Sequence, residues 1–361
     1  MPPTLDLTHI TAPMVSHSDL PFRLLTTTHG ASLTYTQMLD PLLLSSDPDY
    51  LAFHLRDLQC SRKLQEGGRG RGVVVQLCGN EAETVREGAR RVAGWADAVD
   101  LNLGCPQQHA KDGHYGAYLL GQKDWPLIES IVSTLAHTLP VPVSAKLRLC
   151  HPAPSTLALG RRLEAAGAAW VALHARYASV RRRRQGVALL GEVRRLKGGD
   201  SDAGVGGLGI PVLSNGNVRC YEDVERNLEE TGADGVMVGE TLLGNPCLFD
   251  KTGVAPDPVL ISLEYLELCR EFGETVTLGQ VQTHVRRFVG FGCARRPWYQ
   301  KFRARLGDTK SVDEIERLLR FKVQRWRGAA VLGDGWDEAE EDEEDEGESR
   351  EEGDELGWLD D

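Results

Sequence analysis

No two of the eight cysteines stand in a C-x-x-C spacing, so neither a zinc knuckle nor a thioredoxin-like redox pair is encoded. Their scatter over 361 residues also excludes a disulfide-stapled scaffold. It suits a reducing compartment, where most of them are ordinary buried residues. No apolar run approaches the roughly 20 residues that cross a bilayer. Positions 1–30 lack a charged stretch followed by an apolar one. The expectation is a soluble protein of the cytoplasm or nucleus with no membrane partner. Aromatic residues are scarce at 6%, yet apolar residues reach 41%, and the length admits one large domain and a small second one.

The formal charge of −12 disfavours nucleic acid as a partner until its distribution is read. Asp334 to Asp361 carry 17 acidic residues and one arginine, which leaves 40 basic against 36 acidic groups in residues 1–333. The body of the chain is therefore mildly basic. The acidic segment, residues 331–361, is too polar to offset its ordering entropy and is expected to be disordered. It either covers a basic surface or keeps the protein soluble.

Short β-rich runs alternate with helical periodicity. Strands are predicted at His9–Val15, Ser32–Gln37, Gly72–Leu77, Ala98–Leu103, Val141–Arg148, Ala169–His174, Pro211–Ser214 and Gly235–Val238. Helices are predicted at Leu20–Thr28, Glu81–Val92, Trp125–Leu139, Thr156–Ala166, Ala188–Lys197 and Cys220–Thr231. Eight buried parallel strands in about 250 residues favour a (β/α)₈ TIM barrel over a doubly wound sheet. Gly67–Gly72 and Gly198–Gly209 read as low-complexity surface loops. Pro256-Asp257-Pro258 reads as a linker into helices. The organisation expected is a barrel over 1–250, a small all-helical domain over 251–330 and the acidic tail over 331–361. His284 to Arg327 hold 13 basic and 4 acidic residues with aromatics between them, a composition suited either to a solvated surface or to phosphate.

Chemistry in such a barrel gathers at the C-terminal strand ends. Here those ends carry Pro13, Met14 and Val15, then Gln76, Asn102 with Cys105, Lys146, His174, Asn215-Gly216-Asn217 and Gly239-Glu240. One polar strand end is ordinary packing; five or six converge on a pocket. The glycines after the seventh and eighth strands allow close approach of a phosphate. A lysine ending the fifth strand suits the negative charge of a reduced flavin. By contrast, Gly204-Val205-Gly206-Gly207-Leu208-Gly209 matches G-x-G-x-x-G only as a string, because it precedes a strand instead of following one. No metal-ligand spacing is present.

The pieces Ala12-Pro13-Met14-Val15, Asn102-Leu103-Gly104-Cys105-Pro106-Gln107, Gly113-His114-Tyr115-Gly116, Lys146-Leu147-Arg148, His174-Ala175-Arg176 and Ser214-Asn215-Gly216-Asn217 resemble the dihydrouridine synthase family, in order from about residue 9 to 250. The Cys-Pro-Gln and Gly-His-Tyr-Gly pieces are similar to the eukaryotic subfamily that acts on the early D-loop uridines 16 and 17 of tRNA. The resemblance implies FMN at the barrel mouth, NADPH as reductant and tRNA as substrate. Hydride would add at C6 of a flipped-out uracil, and Cys105 would protonate C5, its thiol staying largely protonated below a pKa of roughly 8.5. The flavin contacts it implies are Pro13, Met14, Val15, Gln76, Lys146, His174, Asn215, Gly216, Asn217, Gly239 and Glu240, the last standing where many relatives have Arg. Asn102, His114, Arg176 and the run Arg181, Arg182, Arg183 and Arg184 are expected on the RNA side. A monomer is expected. Two other readings stay open: an FMN barrel acting on a free pyrimidine, and a tRNA-binding relative without catalysis.

Overall fold

The computed structural model describes residues 5–180, 186–201 and 203–333. Eight strands, β1 (His9–Thr11), β2 (Leu33–Leu39), β3 (Gly72–Leu77), β4 (Ala98–Leu103), β5 (Val143–Arg148), β6 (Trp170–His174), β7 (Val212–Asn215) and β8 (Gly235–Val238), alternate with helices. They close a parallel barrel in the order β1-β8-β7-β6-β5-β4-β3-β2, which is the TIM arrangement. Period-two alternation splits each strand between two cores. Outward residues such as Val75, Val99, Leu101 and Leu147 meet Val85, Ile128, Leu159 and Val193 of the surrounding helices. Inward residues at the lower end, including Ile10, Leu33, Tyr35, Val74, Trp170 and Met237, plug the barrel. There the Trp170 indole donates to the Tyr35 hydroxyl at 3.0 Å. Above that plug the inward positions turn polar.

Several expected boundaries move for identifiable reasons. β1 stops at Thr11 instead of Val15, because Pro13 has no N–H to give a ladder. Two helices were not expected, Pro41–Ser46 and Pro48–Glu66. Both open on an Asp N-cap, Asp40 and Asp47, with Pro at the first helical position. The Gly198–Gly209 insert is not a plain loop: Gly199–Asp200 and Val205–Gly206 pair as a small antiparallel ribbon, so the G-x-G-x-x-G string is spent on a turn. Asp257 does more than link. Its side chain caps the helix Pro258–Glu271 and ion-pairs with Arg327.

The helices Pro258–Glu271, Leu278–Cys293, Tyr299–Asp308 and Val312–Arg317 follow β8. Their apolar faces share one cluster with Phe22, Leu25, Val236 and Val238 of the barrel, through Tyr265, Leu266, Val285 and Phe288. A buried polar knot fixes the register. Asp19, which caps Leu20–Thr28, accepts from Tyr265 Oη at 3.1 Å and contacts His284 Nε2 at 2.8 Å. No helix among the described residues is long and apolar enough to cross a membrane.

Candidate active site

The upper barrel layer is one hydrogen-bonded chain with a direction. Asp100 of β4 is fully buried and accepts from Ser144 Oγ at 2.6 Å and from Gln76 Nε2 at 2.8 Å. With its amide nitrogen committed to that carboxylate, Gln76 turns its oxygen toward Asn102 and accepts from Nδ2 at 2.8 Å. Asn102 must then present its own oxygen to the loop beyond β4, where Oδ1 accepts from the Gly104 and Cys105 amides at 3.0 and 2.9 Å. Register puts these residues side by side, Gln76 opposite Asp100 and Asn102 opposite Lys146. Burial pushes the Asp100 carboxyl up to about 6, against the lowering effect of its hydrogen bonds and of Lys146.

That chain sets the backbone of the Cys105 loop, and three further contacts hold it. Arg148 Nε donates to Gly104 O at 3.0 Å while its Nη1 donates to Tyr177 O and Val180 O. The Ala117 amide donates to Cys105 O at 3.1 Å. The Tyr118 hydroxyl donates to Pro106 O at 3.1 Å. Gly116 sits at φ +65, and a Cβ there would lie 2.8 Å from Cys105 O, so this turn requires glycine. Cys105 itself is partly exposed, with Sγ 3.7 Å from His109 Nε2.

Beside the loop lies a cavity of about 190 Å³ at the strand ends. Pro13 and Met14 wall one side, with Gly239 and Glu240 next to them, and Lys146, His174 and Arg176 bring three basic groups to it. Burial, then the neighbouring Arg148 charge, brings the Lys146 ammonium down to about 8. His174 falls well below the ordinary imidazole range, mainly through burial and then through Lys146, Arg148 and Arg176. Arg176 Nη1 lies 2.9 Å from His174 Nε2. A guanidinium only donates, so Nε2 accepts and the neutral ring carries its proton on Nδ1. The cavity floor is equally constrained. The Asn217 amide pairs with both backbone groups of Ala188, at 2.8 and 2.9 Å, and accepts from Arg176 Nη2 at 3.0 Å. Gly216, at φ +133, approaches so closely that a Cβ would lie 2.7 Å from the Ala188 methyl. A cationic, glycine-floored cavity of this kind fits a phosphorylated anionic cofactor.

The residues singled out in the sequence divide accordingly. Pro13, Met14, Lys146, His174, Asn215, Gly216, Asn217, Gly239 and Glu240 line the cavity. Val15 does not: it lies past the end of β1 and is 53% exposed. Gln76, 1% exposed, belongs to the interior chain instead of the cavity wall. Arg176, expected on the RNA side, is a buried cavity residue bonded to His174, Asn217 and Gly186 O. His114 has φ +47 and its Nε2 is 3.3 Å from Asp124. Arg181, Arg182, Arg183 and Arg184 lie outside the described residues, as does the acidic stretch from Asp334 onward. Sequence reasoning missed Asp100, Arg148 and His109. Asp100 was findable, since it stands two before Asn102 and shares its face of β4.

A family model described as "Dihydrouridine synthase (Dus)" matches residues 10–313. Over 316 residues, 88% of the chain, it is 35% identical to a mouse protein named "tRNA-dihydrouridine(16/17) synthase [NAD(P)(+)]-like" and spans 62% of that protein's length. It is 35% identical over 274 residues to the Schizosaccharomyces pombe "tRNA-dihydrouridine(16/17) synthase [NAD(P)(+)]", covering 73% of this chain and 63% of the relative. The Saccharomyces cerevisiae protein of the same name is 34% identical over 274 residues, 74% of this chain and 62% of the relative.

Proposed function

The chain belongs to the dihydrouridine synthase family, and from that premise we propose that it is an FMN-dependent tRNA-dihydrouridine synthase. It reduces the C5=C6 bond of a D-loop uridine, at positions 16 and 17, with NADPH as reductant. One observation carries the reading. A thiol loop and a cationic cavity are set by adjacent, registered strand ends, Asn102 holding Cys105 and Lys146 standing directly across from Asn102.

Lys146, Arg176, Asn217 and the Gly216 and Gly239 backbone would hold FMN, with Pro13 and Met14 against it. FMN held there would supply, once reduced, the hydride for uracil C6. The chain's own residues do the rest. Lys146 sets a positive charge where the reduced cofactor is anionic. Neutral His174 keeps Arg176 aimed into the cavity by accepting its Nη1–H. Cys105 holds the proton that the C5 carbon takes as enolate character develops beside the C4 carbonyl. The uracil must leave its stack to reach this thiol. The helices from Pro258 onward, with their excess of basic residues, would meet the tRNA backbone, as would Arg181 to Arg184.

The test is reconstitution of the full chain with FMN, reduction by NADPH and mass spectrometry of dihydrouridine in an unmodified tRNA transcript. Wild type should bind flavin and form dihydrouridine, with formation at 16 and 17 read by position mapping. Cys105→Ala should bind FMN and accept electrons from NADPH while forming none. Failure to load FMN under any condition overturns the proposal, and full activity of Cys105→Ala removes the thiol's role.

A further inference from the structure

The proton that Cys105 gives away has to be replaced before the next uridine, and the surroundings of the sulfur oppose that. Lys146 faces it with a positive charge that favours the thiolate. Tyr115 and Cys78 face it from the loops beyond β4 and β3, and both are held in their protonated forms, chiefly by burial. Arg148 is committed to the carbonyls of Gly104, Tyr177 and Val180. His114 points its Nε2 at Asp124.

His109 stands where that problem has a solution. It lies in the short helix Gln108–Asp112, which leaves the Cys105 loop through Pro106 and Gln107. Its Nε2 is 3.7 Å from Cys105 Sγ. Its ring is exposed to solvent and packs, tilted by 40°, with its centroid 6.1 Å from that of Tyr115. The side chain thus touches the sulfur on one side and water on the other. An imidazole is also the side chain that exchanges protons readily near neutral pH.

We propose that His109 is the positioning residue that returns a proton to Cys105 after each turnover; this rests on the reading of Cys105 as the C5 proton donor. In the step, the imidazolium Nε2–H bond breaks as the Sγ–H bond forms. The neutral ring left behind keeps its proton on Nδ1, and the bare Nε2 takes a proton from solvent. One solvent proton is consumed per uridine reduced, with no change in oxidation state of either residue.

Two measurements on the full-length, FMN-loaded protein decide this. In the first, alkylation of Cys105 by iodoacetamide is followed against pH by peptide mass spectrometry, which requires no activity. Wild type should give a pH profile that the His109 variants do not share. His109→Leu and His109→Gln should show about tenfold less thiolate near pH 7, because the ring 3.7 Å from Sγ no longer stabilises it. In the second, His109→Leu should lower kcat for dihydrouridine formation about tenfold with KM for tRNA unchanged, and added imidazole should restore it. Superimposable alkylation profiles overturn the proposal. A shifted profile with unchanged kcat, or a loss that imidazole does not rescue, overturns the proton-return role and leaves only a packing contact. If wild type makes no dihydrouridine, the functional reading falls instead, while the alkylation profiles still decide whether the thiol and imidazole titrate as a pair.

Discussion

Replacing Asp100 by Asn keeps the shape of the upper barrel layer and removes one of its two buried acceptors. The carboxylate accepts twice, from Ser144 Oγ and Gln76 Nε2. An asparagine keeps only one acceptor: with it turned to Gln76, its NH₂ meets Ser144 Oγ and the Ser144 hydroxyl loses this acceptor, whereas with it turned to Ser144, the NH₂ faces Gln76. Either two donors then oppose each other, or Gln76 flips, Asn102 flips after it, and the Gly104 and Cys105 amides lose their acceptor. Each buried group left unmatched costs about 1–3 kcal/mol. Against this, the variant no longer buries a charge. Moving a carboxyl from its ordinary 3.8 to about 6 corresponds to roughly 3 kcal/mol at 1.36 kcal/mol per pH unit. The two effects are of the same size and opposite sign, so stability at pH 7.5 should change by only about 1 kcal/mol. Its pH dependence should change more. A carboxyl raised in the folded state stabilises fully below its unfolded pKa, and that stabilisation is lost as pH rises through the folded pKa. Wild type should therefore lose stability between about pH 4 and 6 from this group, and Asp100→Asn should lack that component. Urea unfolding across pH 4–8 measures it. Dihydrouridine formation at full flavin loading should meanwhile fall by about 10²-fold, the usual cost of a reactive group misplaced by an ångström. Parallel stability profiles together with wild-type turnover would refute both the charge burial and the directional chain.

Two further outcomes follow from the cavity. Because burial brings the Lys146 ammonium to about 8, its attraction for FMN is complete below that pH and fades above it. FMN titrations by fluorescence quenching should weaken up to about tenfold between pH 7 and 9, and Lys146→Met should bind more weakly with no such dependence; equal slopes would contradict this. Gly216→Ala places a methyl 2.7 Å from the Ala188 methyl at φ +133, so it should cost about 1–3 kcal/mol locally. It should reduce the flavin retained per mole of protein while the circular dichroism of the barrel is unchanged.

The barrel was legible because parallel strands buried on both faces leave continuous apolar runs, and β3, β4 and β8 fall on the residues expected for them. What escaped was set by other physics. Pro48–Glu66 carries a weak apolar stripe among charges, and its signal was the Asp47-Pro48 pair before it. β1 is shorter than its sequence suggests because apolar character continues past Pro13 while hydrogen bonding does not. At the site, Lys146, His174 and the Asn215-Gly216-Asn217 run were readable as polar residues at strand ends. Arg176 read as an RNA contact because its sequence position does not reveal that Asn217 and His174 draw it inward. His109 gave no signal, since its meaning depends on how Pro106, Gln107 and the short helix after them bring it back over the sulfur.

The knot of Asp19, Tyr265 and His284 has a bearing on which nucleotide is chosen. Asp19 starts the helix behind the Pro13–Met14 wall, and its two partners come from the helices that follow the barrel. A polymer held by those helices would be set at an offset from the cavity that this knot helps to fix. If those helices hold the substrate, selection among neighbouring bases becomes a question of length, with the C-terminal helices as a rule and the cavity as its zero mark.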